Sequence, residues 1–175
     1  SITILESVTE IGDLAFYDCS SLTSIDVASN NNNYTSIDGV LFSKDKTILI
    51  KYPEGKATSY IIPEGVTEIG AYAFSLCNNL VKVSILNSVT LIGEGAFMKC
   101  VSLTDIVIPN SVKKIDQFAF SLCDGLKSIM IPSSVDTIVS AAFAGCENLE
   151  KIDVAKDNPN YCSIDGEIGR ASCRE

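Results

Sequence analysis

Val89-Thr90-Leu91-Ile92-Gly93-Glu94-Gly95-Ala96-Phe97-Met98-Lys99-Cys100-Val101-Ser102-Leu103-Thr104-Asp105-Ile106-Val107-Ile108-Pro109 is one unit of a pattern that returns every 23 residues. Val66, Val89, Val112 and Val135 fall in one column and Ile69, Ile92, Ile115 and Ile138 in the next. The register holds for Ala73, Ala96, Ala119 and Ala142, then Phe74, Phe97, Phe120 and Phe143, and Cys77, Cys100, Cys123 and Cys146, and for Leu80, Leu103, Leu126 and Leu149. Six columns in one register exclude coincidence, and an internal repeat decides the fold before any other signal. An earlier copy, Val8, Ile11, Ala15, Phe16, Cys19 and Leu22, lies 58 residues before the Val66 copy, so extra chain is inserted between them.

The end of each unit, L-x-x-I-x-I-P, alternates β-branched apolar and polar residues as a half-buried strand does, and Pro closes it. V-x-x-I is a second, shorter extended piece. Gly then turns the chain, and A-F-x-x-C has the spacing of a short helix or 3₁₀ turn. Such a unit is too small to bury its own apolar side, but stacked on its neighbours it builds a continuous core, with rungs about 4.8 Å apart. The expected architecture is a right-handed solenoid.

These residues resemble the BspA-like, or Treponema-type, leucine-rich repeats, which share the 23-residue unit and the A-F-x-x-C signature. The resemblance runs over Val8 to Leu22 and Val66 to Val154, with small departures: Leu86 for Pro, Asp116 and Val139 for Gly, and Val83 for Ile. It implies an α/β repeat solenoid, mostly β and loop, with a parallel β-sheet on its concave face and short helical or 3₁₀ turns. It also implies a secreted or cell-surface protein of bacterial or protist type.

Between Ala28 and Gly65 the pattern changes. Asn30-Asn31-Asn32-Asn33-Tyr34 leads into two β-rich runs, Ile37-Asp38-Gly39-Val40-Leu41-Phe42 and Ile48-Leu49-Ile50-Lys51-Tyr52-Pro53, flanking Lys44-Asp45-Lys46, and a hairpin is expected. It thickens one coil or protrudes as a recognition element. Pro53-Glu54-Gly55 turns the chain, and Pro63 resumes the register two periods before Pro109. A second variant unit starts at Asp157 and echoes Asn31 to Gly39 as far as Gly166. The domain is therefore read as residues 1–166, a piece of a longer array, with a variant unit over about 29–65. Residues 167–175 lack repeat logic and read as a non-native tail set apart from the fold.

Composition narrows the function. Thirteen Lys+Arg against 22 Asp+Glu give a net charge of −9, which disfavours nucleic acid. There is no His, so Ser-His and Cys-His catalysis and imidazole metal sites are excluded. No apolar run is long enough for a membrane span. Five of the seven cysteines share one column and read as reduced, buried small hydrophobes, since a ladder of parallel Cβ vectors suits neither disulfides nor zinc. Glu10, Glu68, Glu94 and Asp105 sit at exposed repeat positions and read as solvated surface. The glycines form no phosphate loop, and Asp38-Gly39 and Asp165-Gly166 read as turns rather than calcium ligands. No enzyme, cofactor or metal is expected.

A partner would sit along the outward rows of the L-x-x-I-x-I strands. One row holds Ser24, Ser59, Lys82, Asp105, Ser128 and Lys151, the other Asp26, Ile61, Ser84, Val107, Met130 and Asp153. The candidate contact residues are Ile61, Lys82, Ser84, Asp105, Val107, Ser128, Met130, Lys151 and Asp153, with Val107 and Met130 as an apolar centre. Strand propensity and contact with a cross-strand neighbour would also place a β-branched or unbranched apolar residue there. Two readings stay open: a module adhering to host-matrix, cell-surface or microbial proteins, and a structural spacer with no ligand. Uncovered coil ends would also allow end-to-end self-association.

Overall fold

The computed structural model describes residues 1–170. The chain winds as a β-solenoid of about seven turns. Its strands are β1 (Ile2–Ile4), β2 (Ile25–Val27), β3 (Tyr34–Ile37), β4 (Val40–Ser43), β5 (Ile48–Lys51), β6 (Ser59–Ile61), β7 (Glu68–Ile69) and β8 (Lys82–Ser84). Then follow β9 (Leu91–Ile92), β10 (Asp105–Val107), β11 (Lys114–Ile115), β12 (Ser128–Ile131), β13 (Thr137–Ile138), β14 (Lys151–Val154), β15 (Tyr161–Ile164) and β16 (Glu167–Arg170).

Each regular coil contributes to two ladders. The V-x-x-I pieces pair in parallel as β13-β11-β9-β7, and the variant unit's meander β5-β4-β3, antiparallel within itself and joined to β7 through parallel β5, completes seven strands. The L-x-x-I-x-I strands, expected as one parallel sheet, form three shorter pieces instead: β1-β2, β6-β8-β10 and β12-β14. The first break has a visible cause. The turn Asp38-Gly39 between β3 and β4 takes the slot beside β2, where the Ile25 N–H donates to the Gly39 carbonyl at 2.9 Å. At the second break, Ile106 and Ile129 remain in one core while the backbone ladder lapses.

The A-F-x-x-C segment is not helical, and there is no helix among the described residues. The reason lies in the backbone: two positions per unit are left-handed, Tyr72 and Leu76, Gly95 and Lys99, Phe118 and Leu122, then Ala141 and Gly145. A left-handed residue every fourth position cannot continue a right-handed helix. Alternate N–H groups close tight turns, as in Ala96 to Gly93 O, while the intervening ones reach the next coil, as in Gly95 to Gln117 O and Phe97 to Ala119 O. The segment thus bonds along the stack as well as within its own turn.

The aromatic column forms a stack at the centre. Phe74 and Phe97 have centroids 4.9 Å apart, Phe97 and Phe120 5.3 Å, and Phe120 and Phe143 5.6 Å, all within 9° of parallel. Full burial of one such ring contributes about 2 kcal/mol, and an offset aromatic pair adds up to about 1 kcal/mol. The variant unit continues the stack with Tyr52, 5.1 Å from Phe74. Residues 167–170, set apart in the sequence reading, form β16 and pair with β15; residues 171–175 of that tail lie outside the described residues.

Candidate functional site

Register places the two outward rows as the repeat requires. Asp105, Lys82 and Ser59 are partners across β10, β8 and β6, as are Val107, Ser84 and Ile61; Ser128 faces Lys151 and Met130 faces Asp153 across β12 and β14. Ile61, Val107 and Met130 are 66%, 71% and 54% exposed, while Val83, Ile106 and Ile129 between the rows are buried. Strand alternation therefore sends Val83, Ile106 and Ile129 in and leaves three large aliphatics in water. Val107 and Met130 lie on consecutive coils but on separate ladders, so the apolar row crosses the break in the sheet. Around it, Lys82 pairs with Asp105 and Lys151 with Asp153, both at 2.8 Å, the first pair exposed and the second with Asp153 half-buried. Such pairs contribute little to stability and serve to order the charges on the face.

The cysteine column is reduced, but it is buried only in part: Cys77, Cys100 and Cys123 are buried, Cys19 and Cys146 half-buried. Sequence reasoning missed why the column prefers sulfur. Three of the thiols donate back to the preceding coil at close range, Cys100 to the Phe74 carbonyl at 3.0 Å, Cys123 to Phe97 at 3.0 Å and Cys146 to Phe120 at 2.9 Å. Burial pushes Cys77 and Cys123 up to about 12 and Cys100 well above its ordinary value, so these sulfurs are neither nucleophiles nor ligands near neutrality. Cys162, outside the column, is disulfide-bonded, and Cys173 lies outside the described residues. Among the described residues no group of three or more His, Cys, Asp or Glu is arranged to hold a metal ion.

Two further features went unread in the sequence. Asn31 and Asn158 are fully buried and do the same work in the two variant units. Asn31 donates to the Leu5 and Val8 carbonyls and accepts from the N–H groups of Asn33 and Tyr34, all within 3.0 Å. Asn158 repeats this with Pro132, Val135, Asn160 and Tyr161. The signal was present as Asn-x-Asn-Tyr at both places. The second is an ion pair inside the variant coil: Lys51 Nζ lies 3.6 Å from Glu54, with side chains 4% and 1% exposed. Lys51 also donates to the carbonyls of Tyr72 and Ser75. Glu54, read only as part of a turn, is carried inside by it, and burial pushes its carboxyl up while Lys51 pulls it down.

Comparison with known proteins agrees with this geometry. The family described as BspA type leucine rich repeat region matches residues 1–58 and 51–163, in six copies. The structure of the pneumococcal vaccine antigen PcpA is 33% identical, with a TM-score of 0.85 over 90% of this chain and 39% of that one. A leucine-rich repeat protein from Eubacterium ventriosum is 38% identical, with a TM-score of 0.83 over 89% and 42%. A leucine-rich cell surface protein from Faecalibacterium prausnitzii is 30% identical, with a TM-score of 0.60 over 87% and 47%. The chain thus spans less than half the length of these three. No curated protein matches it significantly.

Proposed function

The chain belongs to the BspA-type leucine-rich repeat family, and from that premise we propose that it acts without catalysis, as a surface-exposed recognition module binding a protein partner along β6 to β14. The observation that carries this reading is the exposed row Ile61, Val107 and Met130 on a face otherwise occupied by Ser and paired charges. Strand propensity accounts for Ile and Val but not for unbranched Met130. Exposed aliphatics in one row, rimmed by polar groups, are the composition of a contact patch. A solenoid presents that row on a rigid support, so binding need not order the surface first. A cell-surface or secreted location is supported by the similarity to a pneumococcal antigen and to a cell surface protein.

The test is retention of extracellular-matrix and cell-surface proteins by the immobilised chain, compared with Val107→Asp/Met130→Asp. Loss of retention in the variant is expected. Equal retention would remove the patch from the reading, and a wild type that retains nothing would leave the module as a spacer.

A further inference from the structure

A second surface feature owes nothing to the strand face. Where the first coil meets the variant unit, a groove of about 370 Å³ opens, lined by Ile11, Asp13, Tyr34, Ile48, Ile50 and Glu68. It arises because the meander β3-β4-β5 is laid between the V-x-x-I piece of the first coil and β7. Ile11, Ile48, Ile50 and Tyr34 are all half-buried and make its floor. Gly70 keeps the floor open: a Cβ there would stand 2.9 Å from the Leu49 carbonyl oxygen and 3.4 Å from Ile48.

The rim is acidic and lacks a counter-charge. Asp13 and Glu68 line the groove, and Tyr72, whose electrostatic neighbours include Asp13, donates its hydroxyl to Glu94 at 2.7 Å. Among the described residues, the ion pairs are Lys51–Glu54, Lys82–Asp105, Lys114–Asp116 and Lys151–Asp153, and none involves Asp13, Glu68 or Glu94. Burial pushes the Glu68 carboxyl up, with no cation to oppose it. Glu68, read from sequence as solvated surface, is half-buried instead.

The geometry recurs, but its chemistry does not. In the second variant unit Ile138 and Tyr161, the counterparts of Ile11 and Tyr34, line a similar recess with Ile168 and Arg170. The variant unit makes the recess, and the residues at the rim set what it accepts.

We propose that the first groove is a docking site for an arginine or lysine side chain presented by a protein partner, its methylene stem on Ile11, Ile48 and Ile50 and its charged head against Glu68 and Asp13. Long cationic side chains bury their stems along apolar surface while the head stays at a polar rim. A carboxylate offers the charge-assisted hydrogen bonds that such a head requires, and the Tyr34 ring adds cation–π attraction. Glu68, already relieved of part of its water, pairs more strongly than a solvated carboxylate would.

The test titrates the whole chain with acetyl-Ala-Arg-Ala-amide and with its citrulline counterpart, following the methyl resonances of Ile11, Ile48 and Ile50. Saturable shifts with the arginine peptide alone are expected, weakened about tenfold by Glu68→Gln and less by Asp13→Asn, with both variants folded by circular dichroism. Val107→Asp/Met130→Asp should bind the arginine peptide like wild type, which keeps this site separate from the strand face. Absent shifts, equal binding of the citrulline peptide, or indifference to Glu68→Gln would overturn the proposal. Spermidine binding as tightly as the peptide would overturn the assignment to a protein side chain.

Discussion

The coil at Val8–Leu22 and the coil at Val89–Leu103 carry the same signature, yet they are different objects. Val89, Ile92, Gly93, Ala96, Phe97, Cys100 and Leu103 are all buried, whereas Val8, Ile11, Phe16, Cys19 and Leu22 are half-buried and Gly12 and Ala15 exposed. Phe97 is stacked on both sides. Phe16 instead packs in a small separate cluster with Ile4, Ile25 and Leu41. On one side the first coil has the variant unit in place of a regular turn. The coil-to-coil backbone bonds made by Tyr72, Phe74 and Leu76 have no equivalent from Leu14, Phe16 and Asp18 among the described residues. A repeat signature therefore specifies what a residue can bury, and its neighbour decides whether it does.

Thiol labelling should separate the two coils most sharply. Cys100 is buried, hydrogen-bonded and far from ionising, so it labels only when the stack opens. Cys19 is half-exposed and labels from the folded state. A rate ratio of about a thousandfold or more is expected at pH 8, equivalent to an opening free energy of about 4 kcal/mol. Comparable rates, read by mass spectrometry of alkylated peptides, would mean the regular coils are no tighter than the first one. Truncation of the rings comes next. Phe97→Ala should cost about 3–5 kcal/mol, and Phe16→Ala about 1–2 kcal/mol. Urea unfolding is the measure; Phe16→Ala should soften an early phase, since repeat arrays unfold by segments.

Much of this was legible beforehand, for a physical reason. Period 23 fixes which residues stack, so the Phe ladder, the outward rows and the reduced cysteine column follow from spacing alone. What spacing does not encode is the backbone handedness of A-F-x-x-C. Tyr72, Lys99, Phe118 and Ala141 adopt left-handed φ without being glycine, because bonds along the stack outweigh a local cost of about 1 kcal/mol per residue. The insertion was also read too simply. Tyr52 enters the aromatic stack 22 residues before Phe74, one short of the period, and Lys51 and Glu54 are drawn inside with it.

That buried pair gives the variant coil its own test. Lys51→Met leaves the Glu54 carboxylate inside without its cation and should cost about 3 kcal/mol, whereas Lys51→Met/Glu54→Leu should return close to wild type. The sign of the pH dependence checks the cause. Burial holds the Glu54 carboxyl above its unfolded value, so its contribution is most favourable below the unfolded pKa and is lost as pH rises through the folded one. Loss of Lys51 raises that carboxyl further. The deficit of Lys51→Met should therefore shrink on acidification from pH 7 towards pH 4. A deficit independent of pH would point to lost packing of the lysine stem instead.

The smallest effect tests the comparison at one repeat position. A Cβ added at Gly93 would stand 2.7 Å from the Ile69 carbonyl oxygen and 3.0 Å from the Gly70 carbonyl carbon, backbone atoms of the coil before, while at Gly12 nothing lies within 4 Å. Neither glycine has a positive φ, so conformational strain does not enter. Asp116 and Val139 fill the same position in later coils and still donate to the coil before, Asp116 N–H to Ile92 O and Val139 N–H to Ile115 O, each at 2.9 Å. The stack can thus open enough to admit a side chain, and Gly93→Ala should cost only about 1 kcal/mol. Gly12→Ala should be neutral or stabilising by about 0.5 kcal/mol, through the lower entropy of the unfolded chain. If thermal unfolding moved the two in the same direction, contact between neighbouring coils would not be what distinguishes them, and the position would answer to its own backbone alone.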